Sequence, residues 1–134
     1  MGGAGRRRHT ALMQVFLVED SCLIRERLVA LLESVPGARV CGHAESAEAA
    51  VREILATRPD VVVLDLSLAG GTGFDVLRAV HPREPQIDFY LLSNFSAAPY
   101  RALAGRLGAR GFFDKSDEFE RVREVIREKT LCMP

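Results

Sequence analysis

Short apolar runs alternate along the chain with segments whose apolar residues are spaced three or four positions apart. The runs are rich in Val and Phe, which is typical of the buried strands of a parallel sheet. They occupy 15–18, 61–64, 90–92 and 111–113, and a shorter apolar pair stands at 40–41. The pattern therefore predicts five strands, each followed by a segment with helical spacing.

Those intervening segments predict five helices. In the first, apolar residues step by four, three and four positions from Ile24 to Val35, and Pro36-Gly37 is expected to end the helix. Thr72 and Asp75 have the spacing of a capping box at the start of the third. The other helices are predicted over 46–56, 97–107 and 117–130. Strands and helices that alternate in this way predict an α/β protein with a doubly wound parallel sheet.

Composition restricts the class of protein. A chain of 134 residues is one ordinary domain, and its 18 basic and 18 acidic residues cancel, which gives no indication of direct nucleic-acid or membrane binding. No apolar stretch approaches the ~20 residues that a membrane span needs. Three cysteines without metal or redox spacing indicate reduced, cytoplasmic thiols, with Cys22 and Cys41 in packed positions. Residues 1–12 are expected to form a disordered tail before a domain at 13–134.

Polar residues follow four of the predicted strands at the point where each strand ends. They are Glu19, Asp20, Asp65, Ser93 and Lys115. Because the carboxyl ends of parallel strands share the edge at which open α/β sheets bind ligands, these side chains are expected to converge. Clustered carboxylates repel one another, which favours a raised pKa or a bound cation. A few hard oxygen ligands suit Mg²⁺.

The same residues resemble the receiver domain of two-component response regulators, a superfamily that includes the chemotaxis regulators. The resemblance covers residues 13 to about 130. The matching elements are the acidic pair Glu19-Asp20, Asp65 with Gly73 eight residues on, the hydroxyl of Ser93, and the segment from Gly111 to Lys115. The resemblance implies a flavodoxin-like, five-stranded parallel sheet of order 2-1-3-4-5 with five helices.

The resemblance also implies the chemistry of the site. Asp65 would be the nucleophile that accepts a phosphoryl group from a histidine kinase or a histidine phosphotransfer protein. Lys115 would pair with the charge of that group. Asp20, Asp65 and the backbone carbonyl of Ser67 would hold Mg²⁺ directly, and Glu19 would act through a bound water. Such a domain is a signalling module that promotes its own phosphorylation and dephosphorylation, not an enzyme.

A switch is implied as well. Ser93 would hydrogen-bond a phosphoryl oxygen, and Phe112 would turn into the space behind it, so that local charge biases a two-state surface. The signal is expected to leave through helix 97–107, strand 110–114 and helix 117–130, towards a downstream protein or a second copy. Exposed candidates on that surface are Tyr100, Arg101, Arg106, Arg121 and Arg123.

Several alternatives stay open. The family usually has other residues at four positions, which here are Glu19, Ala69, Asn94 and Ser116. These departures leave room for a degenerate receiver that acts as a phosphorylation-independent interaction module. Phe112 also fits ordinary core packing, and Asp20 fits a cap of the first helix.

Two other protein classes fit less well. A haloacid-dehalogenase-type phosphohydrolase requires Asp-x-Asp, whereas this chain has Asp65-Leu66-Ser67. A flavodoxin-like cofactor binder requires a Ser/Thr-rich phosphate loop where Glu19-Asp20 stand.

Overall fold

Five strands and five helices alternate through residues 12–94, 98–116 and 118–132, which are the residues that the computed structural model describes. The strands are β1 (Met13–Val18), β2 (Ala38–Ala44), β3 (Val61–Asp65), β4 (Asp88–Ser93) and β5 (Gly111–Asp114). The helices are α1 (Cys22–Glu33), α2 (Ala47–Thr57), α3 (Gly73–Val80), α4 (Ala98–Arg106) and α5 (Phe119–Leu131). The predicted tail lies outside the described residues, except for Leu12.

All neighbouring strands are parallel, and the sheet has the order β2-β1-β3-β4-β5. The predicted flavodoxin-like fold is therefore confirmed. The register places Asp65 beside Leu92 and Ser93 beside Asp114. The polar residues at the ends of the strands consequently reach the same edge of the sheet.

Helices cover both faces of the sheet, which explains why the central strands contain continuous apolar runs. Helices α1 and α5 pack on one face, where Val61 and Val63 are buried. Helices α2, α3 and α4 pack on the other, where Val62 and Leu64 are buried. Because each face of β3 meets a layer of side chains, the strand is anchored along its whole length up to Asp65.

Local signals in the sequence account for several helix ends. Thr72 caps α3 and forms both halves of the predicted capping box with Asp75. Helix α2 begins after Ser46, whose side chain accepts a hydrogen bond from the Ala49 amide. None of the helices in the described ranges is long and apolar enough to cross a bilayer.

Three sequence predictions need correction. Helix α1 ends at Glu33, so Val35 packs into the core from the turn that follows rather than from the helix. Strand β2 extends over seven residues, whereas the sequence predicts only a short apolar pair. The apolar pattern is weak there because β2 is an edge strand, with exposed side chains at Arg39 and His43 and an irregular register beside Val15 and Phe16. Cys22 is exposed, because it starts α1 on the solvent side.

An ionic cluster lies at the start of β4, away from the edge that carries the polar strand ends. Asp88 accepts hydrogen bonds from Lys129 of α5 and from Nε of Arg110, the latter at 3.0 Å. Burial acts to raise the pKa of Asp88, but the bonds from these two cations outweigh burial and hold the pKa below its ordinary value.

Candidate functional site

Lys115 joins two carboxylates at the carboxyl edge of the sheet. Its Nζ lies 2.8 Å from Oε1 of Glu19 and 3.0 Å from Oδ2 of Asp65. The backbone amide of Lys115 donates to the carbonyl of Ser93, which fixes the end of β5 against the end of β4. The structure thus brings together residues that are up to 96 positions apart in the sequence.

Glu19 is almost fully buried, with 1% of its surface exposed. Its Oε2 accepts a hydrogen bond from the Ser21 amide, while Oε1 bonds Lys115. Burial raises the pKa of Glu19, and the bonds from Lys115 and Ser21 oppose this rise without cancelling it. The repulsion that the sequence predicts, here from Asp65, makes a smaller contribution. Burial also acts to lower the pKa of Lys115, but its bonds to Glu19 and Asp65 leave that pKa raised.

Asp65 ends β3 and is held by its own loop. Its Oδ1 accepts a hydrogen bond from the Ser67 amide at 3.2 Å. Gly73 lies against the same strand end, and a Cβ there would stand 2.7 Å from the Asp65 carbonyl oxygen. A glycine at this position is therefore what allows α3 to begin so close to the buried carboxylate.

Asp20 is exposed and faces the same site. The alternative that Asp20 caps the first helix is wrong, because Ser21 is the N-cap residue of α1 and its Oγ accepts the Ile24 amide. Carboxylate oxygens of Glu19, Asp20 and Asp65 lie within 4.8 Å of one another. This set of hard oxygen donors fits Mg²⁺, which prefers few carboxylates and keeps several waters.

A cavity of about 410 Å³ opens over these carboxylates. Ser93, 1% exposed, lies in its wall, and Asn94 and Arg27 line it as well. The Arg27 guanidinium stacks 4.4 Å from the centre of the Phe119 ring, which also borders the cavity. The cavity is therefore bordered by α1 and by the end of β4.

Phe112 is half-buried and packs against the core below α4. Arg101 of α4 covers it: Nη1 donates to the Phe112 carbonyl at 2.9 Å, and the guanidinium lies 4.9 Å from the ring centre. Arg101 also pairs with Glu118 at 3.4 Å, and Glu118 accepts the Asp114 amide at 2.8 Å. These contacts connect α4, β5 and the start of α5.

The predicted interaction surface contains residues that differ in their surroundings. Tyr100 is exposed and stacks on Phe74, with ring centres 6.4 Å apart. Arg106 and Arg121 are exposed, whereas Arg123 is half-buried and donates to the Ser34 hydroxyl.

Sequence reasoning missed two arginines that line or support the site, Arg25 and Arg27, and it named Arg101 as a surface residue without its contact to Phe112. Each of the three reaches its partner by a long side chain across a gap between elements. Spacing indicates only which face of a helix each arginine occupies, so no signal in the sequence identifies its partner.

Comparison with known proteins agrees with the fold. The model of the response regulator receiver domain matches residues 15–127. The chain therefore belongs to the response regulator receiver family.

No peptide bond between described residues is cis, and this includes the bond between Lys115 and Ser116, where the family usually has proline.

Two curated relatives illustrate the settings in which such a domain occurs. Over 117 residues the chain is 35% identical to the DNA-binding transcriptional activator DevR/DosR of Mycobacterium tuberculosis, covering 87% of this chain and 54% of that protein. Over 132 residues it is 37% identical to protein-glutamate methylesterase/protein-glutamine glutaminase 6 of Anaeromyxobacter dehalogenans, covering 96% of this chain and 36% of that protein. The chain thus spans about half or less of these relatives.

Solved structures give the same result. The signal receiver domain of the putative response regulator NarL from Mycobacterium tuberculosis superposes with a TM-score of 0.81 at 27% identity, covering 90% of this chain and 98% of that one. A LuxR-family two-component response regulator from Aurantimonas has a TM-score of 0.83 at 26% identity, with coverage of 90% and 86%. The chain is thus similar to receiver domains of two-component response regulators.

Proposed function

We propose that this receiver domain accepts a phosphoryl group on Asp65, with Mg²⁺, from a histidine kinase or a histidine phosphotransfer protein. The observation that carries the proposal is the position of Lys115, whose ammonium lies 3.0 Å from the Asp65 carboxylate at the base of an open cavity. A buried cation beside a carboxylate nucleophile is suited to neutralise the charge of an incoming phosphoryl group.

The transfer uses few groups. An oxygen of Asp65 bonds to phosphorus while the phosphorus–nitrogen bond of the donor breaks, and its electron pair returns to the imidazole of the donor, which takes up a proton from water. Lys115 moves from Oδ2 of Asp65 to the transferred oxygens. Asp20, Asp65 and the Ser67 carbonyl would hold Mg²⁺, with Glu19 acting through a water, and the ion supplies further neutralisation of phosphate charge.

The output follows from Ser93 and Phe112. Ser93 lies in the wall of the cavity and would hydrogen-bond a phosphoryl oxygen, which draws the β4–α4 connection towards the site. Phe112 would then turn inward, away from Arg101, and alter the surface formed by α4, β5 and α5. That surface is proposed to bind a downstream protein or a second copy of the chain, in the cytoplasm.

The proposal is tested with acetyl phosphate as a small donor. Wild-type protein in Mg²⁺ is expected to gain one phosphoryl group in its intact mass, whereas Asp65→Asn and wild type in excess chelator are expected to gain none. Asp60→Asn is the matched control, because Asp60 precedes the same strand at its opposite end. Labelling of Asp65→Asn at the wild-type level would contradict the assignment. A wild-type protein that takes up no phosphoryl group, yet binds a partner through α4, β5 and α5, would instead favour the degenerate receiver.

A further inference from the structure

Arg25 reaches from the first turn of α1 to the backbone of the loop that carries the acidic pair. Its Nη1 donates to the carbonyl oxygen of Glu19 at 2.9 Å, and only 14% of its side chain is exposed. That carbonyl belongs to the peptide unit between Glu19 and Asp20. Arg25 therefore touches the backbone directly before Asp20, and its contacts are with a carbonyl and with Glu45 rather than with a carboxylate of the acidic cluster.

The peptide unit after Asp20 is held as well. The Ser21 amide donates to the Glu19 carboxylate at 3.1 Å, and the Ser21 side chain caps α1. Asp20 thus has an exposed side chain on a backbone that is fixed on both sides. A flexible ligand would have to be ordered when a cation binds, at a cost in conformational entropy. The contact with Arg25 removes part of that cost in advance.

A second contact of Arg25 extends towards the loop that follows Asp65. The same Nη1 lies 3.5 Å from Oε2 of Glu45, in the connection between β2 and α2. The carbonyl of Glu45 accepts the Ala69 amide at 3.4 Å, and the Ala47 amide donates to Gly70 at 2.9 Å. The connection that Arg25 contacts is therefore hydrogen-bonded to the loop that follows Asp65.

We propose that Arg25 is a positioning residue of the divalent-cation site, which orients Asp20 through the Glu19 carbonyl. This inference rests on the proposed function, because it requires that the acidic cluster binds Mg²⁺. Groups that hold metal ligands in place typically affect metal affinity by about 10–100-fold when they are removed. The Glu45 contact is expected to matter less, since its partner carboxylate is 59% exposed and exposed ion pairs contribute little.

The charge of Arg25 alone predicts the opposite effect on Mg²⁺ affinity, so a single measurement tests the inference. Arg25 is a cation close to a cation site, so by Coulomb's law its removal should tighten Mg²⁺ binding. Positioning predicts that removal weakens binding. The direction of the change in Mg²⁺ affinity therefore distinguishes the two roles.

The experiment is a Mg²⁺ titration of unphosphorylated protein, followed by amide chemical shifts and calorimetry, with thermal unfolding recorded for each variant. Arg25→Met is expected to bind Mg²⁺ about 10-fold more weakly or worse. Arg25→Lys keeps the charge on a side chain with one donor group instead of a planar fork, and is expected to weaken binding in the same direction and to fold. Glu45→Gln and the matched control Arg52→Met, an exposed α2 arginine, are expected to stay within about twofold of wild type.

Unchanged or tighter Mg²⁺ binding in Arg25→Met would overturn the inference. If Arg25→Met does not fold, wild-type Mg²⁺ affinity in Arg25→Lys would overturn it instead. Lower thermal stability with unchanged affinity would also overturn it, because that result describes a merely structural residue. If wild type itself binds no Mg²⁺, the metal site of the proposed function fails and the inference fails with it. The two failures are thus distinguished by the wild-type titration.

Discussion

Replacement of Lys115 by methionine removes the cation that two buried carboxylates share. The side chains of Lys115, Glu19 and Asp65 are 11%, 1% and 9% exposed. Removing one partner of a buried ion pair typically costs about 3–5 kcal/mol, because the remaining charge is left without compensation. The cavity above the site admits water and Glu19 is able to take up a proton, so we expect the lower end, about 3 kcal/mol at neutral pH. For a chain of this length that corresponds to a fall in Tm of roughly 10 °C.

The loss should depend on pH in a defined direction. The pKa of Glu19 is raised in the folded protein, mainly by burial, so its contribution to stability is most favourable below the unfolded pKa and is lost as pH rises through the folded pKa. Without Lys115 the folded pKa rises further. The difference in unfolding free energy between wild type and Lys115→Met should therefore shrink as pH falls from neutral towards 5.

Chemical denaturation followed by circular dichroism, in chelator and then in Mg²⁺, measures these effects. Mg²⁺ should stabilise Lys115→Met more than wild type, because no ammonium competes for the carboxylates; at 100 times Kd the gain is about 2.7 kcal/mol. Lys129→Met is the matched control. Its partner Asp88 retains Arg110, so the loss of unfolding free energy relative to wild type should be smaller and should be the same with and without Mg²⁺. A loss below about 1 kcal/mol, the range of a surface pair, would refute the reasoning, as would a loss independent of pH.

Three further changes test other parts of the structure. Arg101→Met removes the guanidinium from the carbonyl and ring of Phe112, so the ring signals of Phe112 in ¹³C-resolved spectra should shift and broaden; unaltered signals would show that Arg101 does not hold the ring. The lowered pKa of Asp88 means that its contribution to stability is present above the unfolded pKa and is lost as pH falls through the folded pKa. Asp88→Asn should therefore be less stable than wild type at pH 7 and should lose less unfolding free energy on acidification. Parallel curves of unfolding free energy against pH for the two proteins would contradict this. Gly108→Ala places a Cβ 2.4 Å from the ring of the histidine that ends α3, at a φ of +102°, and should cost about 1–3 kcal/mol in unfolding free energy. Its control is Gly105→Ala, where a Cβ meets nothing within 4 Å and the change should be neutral or stabilising. Equal losses in the two variants would disprove the steric cause.

Much of the fold could be predicted because the central strands are buried on both faces and therefore appear as continuous apolar runs. The same runs end in Glu19, Asp65, Ser93 and Lys115, and parallel pairing alone is enough to bring those ends to one edge. The capping box at Thr72 was predictable for a different reason, because it depends on residues only three positions apart.

The rest depends on contacts that leave no periodic signal. Strand β2 lies at the edge of the sheet, so its exposed residues interrupt the apolar pattern. The hydrogen bond between Glu19 and Lys115 depends on side-chain length and on the registers of several strands together. The contacts of Arg25 and Arg101 depend on where neighbouring loops and strands lie, which the sequence of either helix does not contain.

The central claim is that Asp65 itself carries the phosphoryl group, and trapping of the phosphorylated residue tests it most directly. Borohydride reduces an acyl phosphate to the alcohol, so a phosphorylated aspartate becomes homoserine and can be located by tandem mass spectrometry. After reaction with acetyl phosphate and Mg²⁺, we predict homoserine at position 65 and at no other aspartate. Homoserine at Asp20 instead, or phosphorylated protein that yields none at position 65, would contradict the account.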